Sequence, residues 1–310
     1  MPVCITGMHR SGASVVARML ELCGLYLGED PGPQEPEPDN PERFIENARF
    51  RSIDIRILAA LGSHPCAPPP PSARRALAAE ESLLAEARTL VRRFRFMEPW
   101  GWKGCCSALT LPFWQGLLPG LRVILVLRQP MEVARSLSAR HGLKPEAALA
   151  LWRSYYEAVL AATTPDIRLV THYDAFFTDA SAALERVLAF LGMRPGEAAL
   201  RRAALALVHE LRQQRAAEED LTPGVASLYK ELLHEAGLPF HGQVVRHAFP
   251  LAASTSQLRV SRAPGESPTR SIHRLAQRGL RALEREGVSG RVARAVRALG
   301  GRQPNRHVWY

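Results

Sequence analysis

Lysine is nearly missing from this 310-residue chain; Lys103, Lys144 and Lys230 are all it has. Cysteine is sparse as well. Five residues, an odd number with Cys105 and Cys106 adjacent, do not make a disulfide framework, so a reducing, cytoplasmic setting is expected. Neither Cys105 nor Cys106 has His or Cys partners at metal-ligand spacing, and no metal site is expected. No apolar run approaches the ~20 residues of a membrane span. The opening MPVCITGMHR lacks the basic region and long apolar stretch of a secretory signal. What remains, 46% hydrophobic and 23% charged residues, excludes global disorder, collagen and coiled coil.

Positive charge is plentiful but unevenly placed. The net charge is +10, yet residues 1–250 are close to neutral, while Leu251–Tyr310 holds 12 Arg against 3 acids. The chain therefore divides into a near-neutral body, 1–250, and a basic tail, 251–310. The preference for Arg over Lys, with abundant Ala, fits a GC-rich genome.

Along the body, PVCIT reads as a short buried strand. GMHRSGAS reads as a tight turn, and Ser14 to Cys23 as a helix with an apolar face of Val15, Val16, Met19, Leu20 and Cys23. Residues 28–42, rich in Pro and acids, read as a loop. Helices are expected from about Glu42 to Leu61 and, after SHPCAPPPPS, from about Ala73 to Phe96, with Leu83, Ala87, Leu90 and Phe94 on one face. RVILVLR, an apolar core between polar ends, is a buried parallel strand. A helix follows from Pro130. Further helices are expected over Pro145 to Ala162 and over ALERVLAFLG, closed by Gly192, with a strand over Ile167 to Thr171 between them. Residues 193–250 read as mostly helical. The order β-α-(α-α)-β-α-α-β-α predicts a three-layer α/β/α sandwich around a parallel sheet, a nucleotide-binding architecture.

Gly7 to Ser14, GMHRSGAS, is GxxxxG with Ser two residues beyond, set between strand and helix. Backbone N–H groups converge at such a turn, and the helix dipole adds positive potential. The Lys of an ATP-binding P-loop is replaced by Ala13, so the cation must come from Arg10, with His9 beside it. The alternative is an ordinary strand-to-helix turn. A second candidate sits on the central strand. Arg128 closes it at the carboxyl edge, and Ser136 lies about two helical turns on. Together they could hold a second phosphate; alternatively they are a surface-paired Arg and a solvent-facing Ser.

Taken together, GMHRSGAS and LRQPMEVARS resemble the sulfotransferase family that uses 3′-phosphoadenosine 5′-phosphosulfate (PAPS), in particular its bacterial branch with an HRSGTS loop. RFIENARF (residues 43–50), WGWKG with ALTLPFW (100–114) and HYDAFF…LAFLG (172–192) belong to the same ordered set, which spans roughly residues 3–192. The resemblance implies a P-loop NTPase-like sulfotransferase fold. It implies that Arg10, Ser11, Gly12, Ala13 and Ser14 hold the 5′-phosphosulfate, with His9 at the loop, and that Arg128 and Ser136 hold the 3′-phosphate that separates PAPS from ATP. The chain departs from the family at Ala13, where Thr is usual, and at Lys103-Gly104-Cys105-Cys106, where relatives read KDPR.

Sulfuryl transfer needs in-line positioning, cations near the bridging oxygen and a base for the acceptor proton. Glu46 is the candidate base. It continues the stripe of Phe50, Ile53 and Ile57 towards the helix N-terminus, where partial burial would raise its pKa. The alternative is a Glu that only favours the helix dipole. His9, His64 and His172 are further candidates. Lys103, after Trp100 and Trp102, is either a cation at the transferring group or a side chain packed on the tryptophans. Asp174 is expected to fix a loop. In the tail, SIHRLAQRGLRALERE reads as an amphipathic basic helix and Val288–Leu299 as a second, forming a helical C-terminal extension. The extension is either a docking surface for anionic lipid or an acidic partner or a solvated, poorly ordered tail, and it has no nucleic-acid motif.

The sequence thus predicts a cytoplasmic enzyme, with the membrane surface as one site of action. It would move a sulfuryl group from PAPS to a hydroxyl or amine of a carbohydrate, lipid or small metabolite. Two alternatives stand beside it: a non-catalytic nucleotide-binding relative that docks through its basic tail, and a P-loop kinase-like phosphotransferase.

Overall fold

The computed structural model describes residues 1–28, 46–72, 81–94, 96–206 and 221–239. The expected loop from residue 29 on, the start of the helix at Ala73, parts of the expected helical region (207–220 and 240–250) and the whole 251–310 tail lie outside the described residues. Among the described residues no helix is long and apolar enough to cross a membrane.

The core is a four-stranded sheet, all parallel. Its strands are β1 (Pro2–Thr6), β2 (Trp100–Lys103), β3 (Arg122–Leu127) and β4 (Arg168–His172), in the spatial order β2-β1-β3-β4. Burial on both faces explains why β1 and β3 read as continuous apolar runs. Val3, Ile5, Ile124 and Val126 point into one core layer, with α1 (Ala13–Leu22) and a later helix, Ala180–Leu191. Cys4, Val123, Leu125 and Leu127 point into the other. There they meet α2 (Ala48–Ala60), α3 (Glu81–Phe94), α4 (Ser107–Leu117), α5 (Pro130–His141) and α6 (Pro145–Ala162). The result is the expected α/β/α sandwich.

Two predicted helical stripes are buried, Phe50, Ile53 and Ile57 in α2 and Leu83, Ala87, Leu90 and Phe94 in α3, and so is the stripe of Ala148, Trp152, Tyr155 and Val159 in α6. The remaining helices are α7 (Tyr173–Thr178), α8 (Ala180–Leu191), α9 (Glu197–Leu205) and α10 (Pro223–Glu235). Glu235 of α10 receives two bonds from Arg168 at 2.8 and 2.7 Å, which fastens α10 to the edge strand β4.

Three differences from the sequence reading have physical causes. The strand β2 and the helix α4 were not expected. WGWK is too short for a periodic signal, and α4 contains Pro112 and is apolar nearly all round. The helix expected from Glu42 has its described start at Ala48, because the Asn47 side chain caps it, accepting from Arg49 N–H at 3.1 Å. Tyr173–Thr178 forms the short helix α7, capped by His172, whose ring Nδ1 accepts from Asp174 N–H at 3.1 Å.

Candidate active site

Parallel strands deliver their carboxyl ends to one edge of the sheet. Here that edge receives the loop Gly7–Gly12 from β1, Lys103 from β2, Arg128 from β3 and Tyr173 from β4. The chain leaves β1 into α1 on one face and β3 into α5 on the other, so β1 and β3 flank the point where the topology switches. In open α/β sheets, ligands bind at such a point.

The loop has little room to vary. A Cβ at Gly7 would lie 2.5 Å from the Val126 carbonyl oxygen and 2.7 Å from Ser11 Oγ. Gly12, at φ 89°, caps α1, and a Cβ there would lie 2.1 Å from the ring of Tyr173. Arg10 takes φ 70°, a left-handed conformation that costs a non-glycine residue roughly 1–2 kcal/mol. Two contacts hold it. Arg10 Nε donates to Ser136 Oγ at 2.9 Å, and Arg128 Nη1 donates to the Arg10 carbonyl at 3.2 Å. Ser11 is buried, while Ala13 and Ser14 open α1, which has no side-chain cap and no acid in its first turn. The first N–H groups of such a helix have no carbonyl partner within it.

The two predicted halves of the site therefore meet. Arg128 is buried at the end of β3, with its guanidinium 4.7 Å above the Tyr173 ring and its Nε bonded to Glu132 Oε2 at 2.9 Å. Ser136, expected as a donor to phosphate, accepts from Arg10, which leaves its O–H to donate. Tyr173 escaped the sequence reading although it touches both halves, the cap Gly12 on one side and Arg128 on the other. Its signal was positional: it directly follows a strand, at the carboxyl edge.

A second charged group surrounds Glu46. This residue lies just before the cap of α2 rather than in the helix. It is buried, and its Oε1 accepts from Cys105 N–H at 2.8 Å. Lys103 Nζ lies 3.5 Å from Oε1, and Arg51 Nε lies 3.7 Å from Oε2. Burial alone would raise its pKa, as the sequence suggests. Lys103, Arg51 and the Cys105 N–H outweigh burial and hold the carboxyl at about 2. For Lys103, burial acts to lower the pKa, but Glu46 overcomes it and the ammonium is held above its ordinary value. The backbone N–H of Cys105 thus does work here that needs no particular side chain.

His9 is half-buried, edge-on to Tyr155 at 6.0 Å, and burial lowers its pKa to about 4. His64 is likewise lowered to about 4 by burial and by His9. Both rings are neutral at pH 7. His172 is a cap whose Nε2 lies 3.0 Å from Tyr229 Oη, deep in the core and committed to structure.

Behind Lys103 lies a network without a sequence signal. Asp54 of α2 is fully buried and accepts from Ser107 Oγ (2.6 Å), Thr110 Oγ1 (2.6 Å) and Trp114 Nε1 (2.7 Å). Trp102 Nε1 donates to Ser107 Oγ at 2.9 Å, and Thr6 Oγ1 to the Gly104 carbonyl at 2.7 Å. These bonds fix the Lys103–Cys106 turn that presents an ammonium and an N–H to Glu46. Burial raises the Asp54 pKa to about 6 despite the three donors. Among the described residues no three His, Cys, Asp or Glu side chains cluster as a metal ion would require.

A strand-to-helix glycine loop joined to a strand-end Arg thus lies at the switch point of an α/β/α sandwich. The family comparison is more specific: residues 2–195 match the model of the sulfotransferase family, and the chain belongs to that family. No curated protein matches its sequence. Several solved structures are similar at low identity. The sulfotransferase domain of the Synechococcus PCC 7002 olefin synthase is 16% identical, with a TM-score of 0.48 over 74% of this chain and 94% of that one. The sulfotransferase STF9 from Mycobacterium avium is 14% identical, with a TM-score of 0.48 over 78% of each chain. STF1 from Mycobacterium tuberculosis H37Rv is 15% identical, with a TM-score of 0.45 over 76% of each.

Proposed function

We propose that this protein binds PAPS across the β1–β3 crevice and transfers its sulfuryl group to an acceptor hydroxyl. The observation that carries the reading is the junction of Arg10 and Arg128, joined through the Arg10 carbonyl at 3.2 Å. Two guanidinium groups at one switch point suit a nucleotide phosphorylated at both ends. A P-loop kinase is disfavoured by Ala13 in place of the lysine and by β3 ending in Arg128 rather than an acid.

The residues fit the co-substrate. Gly7 and Gly12 let the loop pack tightly on Val126, Ser11 and Tyr173, and the uncapped start of α1 at Ala13 and Ser14 offers N–H donors to the 5′-phosphosulfate. Arg10 places a cation beside them. Arg128 takes the 3′-phosphate, with Ser136 holding Arg10 between the two. The bound PAPS supplies an activated sulfuryl group, and the chain supplies position and charge. Lys103 stands as the cation nearest the acceptor side. Glu46 is ionised throughout the neutral range, the form that receives a proton. An anion arriving beside Lys103 and Arg51 weakens their hold on Glu46 and raises its pKa, making it a stronger base when the donor is present.

A second reading rests on one observation. A carboxyl held at about 2 is a poor base, and this favours a relative that binds the nucleotide without transferring sulfate. One experiment separates the readings. The full-length protein is incubated with PAPS and a panel of carbohydrate, lipid and small-metabolite acceptors, and products are followed by mass spectrometry. A sulfated product supports the enzyme; binding of adenosine 3′,5′-bisphosphate with no product across the panel supports the binding protein.

A further inference from the structure

Arg128 is 6% exposed, and three contacts define where its guanidinium lies. Nη1 reaches the Arg10 carbonyl, the plane covers the Tyr173 ring, and Nε donates to Glu132 Oε2 at 2.9 Å. The third contact belongs to a residue with no role so far. Glu132 is 3% exposed and is the third residue of α5. In a capping box, a Glu at this place reaches back to the N–H of the cap residue. Here Gln129 caps the helix by accepting from Glu132 N–H at 2.8 Å, and the Glu132 carboxylate accepts from Arg128 Nε as well.

A buried carboxylate beside an anion site works against the anion, because it offsets the charge of the arginine that should attract it. Its compensation is geometric. An unrestrained arginine gives up side-chain freedom when it grips a phosphate. An arginine already held at Nε has given it up on folding, and its fork points one way. The cap then fixes Glu132, Glu132 fixes Arg128, and strand β3 fixes the base of both.

We propose that Glu132 is a positioning residue for the 3′-phosphate. Its carboxylate orients Arg128 in advance, so that the site separates a 3′-phosphorylated adenosine nucleotide from one that lacks this group. The inference rests on the PAPS reading above.

The test is calorimetric binding of adenosine 3′,5′-bisphosphate and of adenosine 5′-monophosphate to the full-length protein, wild type and Glu132 variants. The readout is the ratio of the two affinities, which a merely structural role would not move. In Glu132→Ala the ratio falls by about tenfold or more, as expected for loss of a charge-assisted bond. Glu132→Gln keeps an acceptor oxygen in place and loses less. Glu132→Asp keeps the charge with a shorter reach and loses more than Gln, which separates position from charge if the Ala variant does not fold. Unchanged ratios in Gln and Asp overturn the proposal alone. So does tighter bisphosphate binding in Gln, the result expected if the carboxylate only opposes the anion. A wild-type protein that does not discriminate between the two nucleotides overturns the proposal together with the reading beneath it.

Discussion

The carboxyl edge of the sheet carries two charged groups built in different ways. The Arg10–Arg128 group rests on backbone: a left-handed Arg10, a capping Gly12 with no room for a side chain, and a strand-end arginine. The Glu46–Lys103 group rests on side chains from distant segments, a carboxylate placed by the N–H of Cys105 and two cations at 3.5 and 3.7 Å. The difference teaches that the first group is held rigidly by backbone, the form that the proposed anion receptor needs. The second is an electrostatic balance that an anion bound as proposed would tip.

Four perturbations sharpen this contrast. The largest effect is expected from Gly12→Ala, which puts a methyl group into the Tyr173 ring at a φ that alanine resists. Binding of adenosine 3′,5′-bisphosphate, measured by calorimetry, should weaken by about 100-fold or more. Arg128→Ala comes next. It should weaken bisphosphate binding by about 10–100-fold, the worth of a charged hydrogen bond, with little change for adenosine 5′-monophosphate. It also leaves Glu132 buried without its cation, so the urea midpoint should fall as well. Glu46→Gln should act on the other group. If transfer occurs, turnover falls by about tenfold or more while bisphosphate affinity is retained; equal losses in both would merge the two groups into one.

The fourth is a pH series of urea unfolding, with effects on the order of 1–3 kcal/mol. His9 and His64 have folded pKa values lowered to about 4, so the stability they contribute is present above their unfolded value and is lost as pH falls from about 6.5. Asp54 runs the other way. Its folded pKa is raised to about 6, so it favours the folded state increasingly as pH falls towards 4. Two groups outweigh one, and the midpoint should decline on acidification. Asp54→Asn should make the decline between pH 6 and 4 steeper. Below about pH 4.5 the loss of Glu46 stabilisation takes over, because its folded value is depressed to about 2. Glu46→Gln should remove that last limb.

The same contrast explains what could be read from the sequence. The strand-to-helix turn was legible because GMHRSGAS encodes its own conformation locally, and β3 because RVILVLR must be buried on both sides. Helical stripes such as Leu83, Ala87, Leu90 and Phe94 were legible from period alone. The Glu46 group was half legible. Its members could be named, but burial suggested a raised pKa, and the partners that reverse it lie far off in the chain, as Cys105 and Lys103 do. Asp54 and Tyr173 were silent for the same reason: Asp54 draws its donors from α4, and Tyr173 meets Gly12 only because β4 and β1 end at one edge. Glu132 is close in sequence to Arg128, but nothing in a helical Glu announces that it accepts from a neighbouring guanidinium.

The most direct measurement is competition for the crevice between adenosine 3′,5′-bisphosphate and ATP with Mg²⁺, followed by calorimetry on the full-length protein. The account predicts that the bisphosphate binds more tightly and that Arg128→Ala abolishes the preference. ATP binding as tightly as the bisphosphate, or a preference that survives Arg128→Ala, would contradict it.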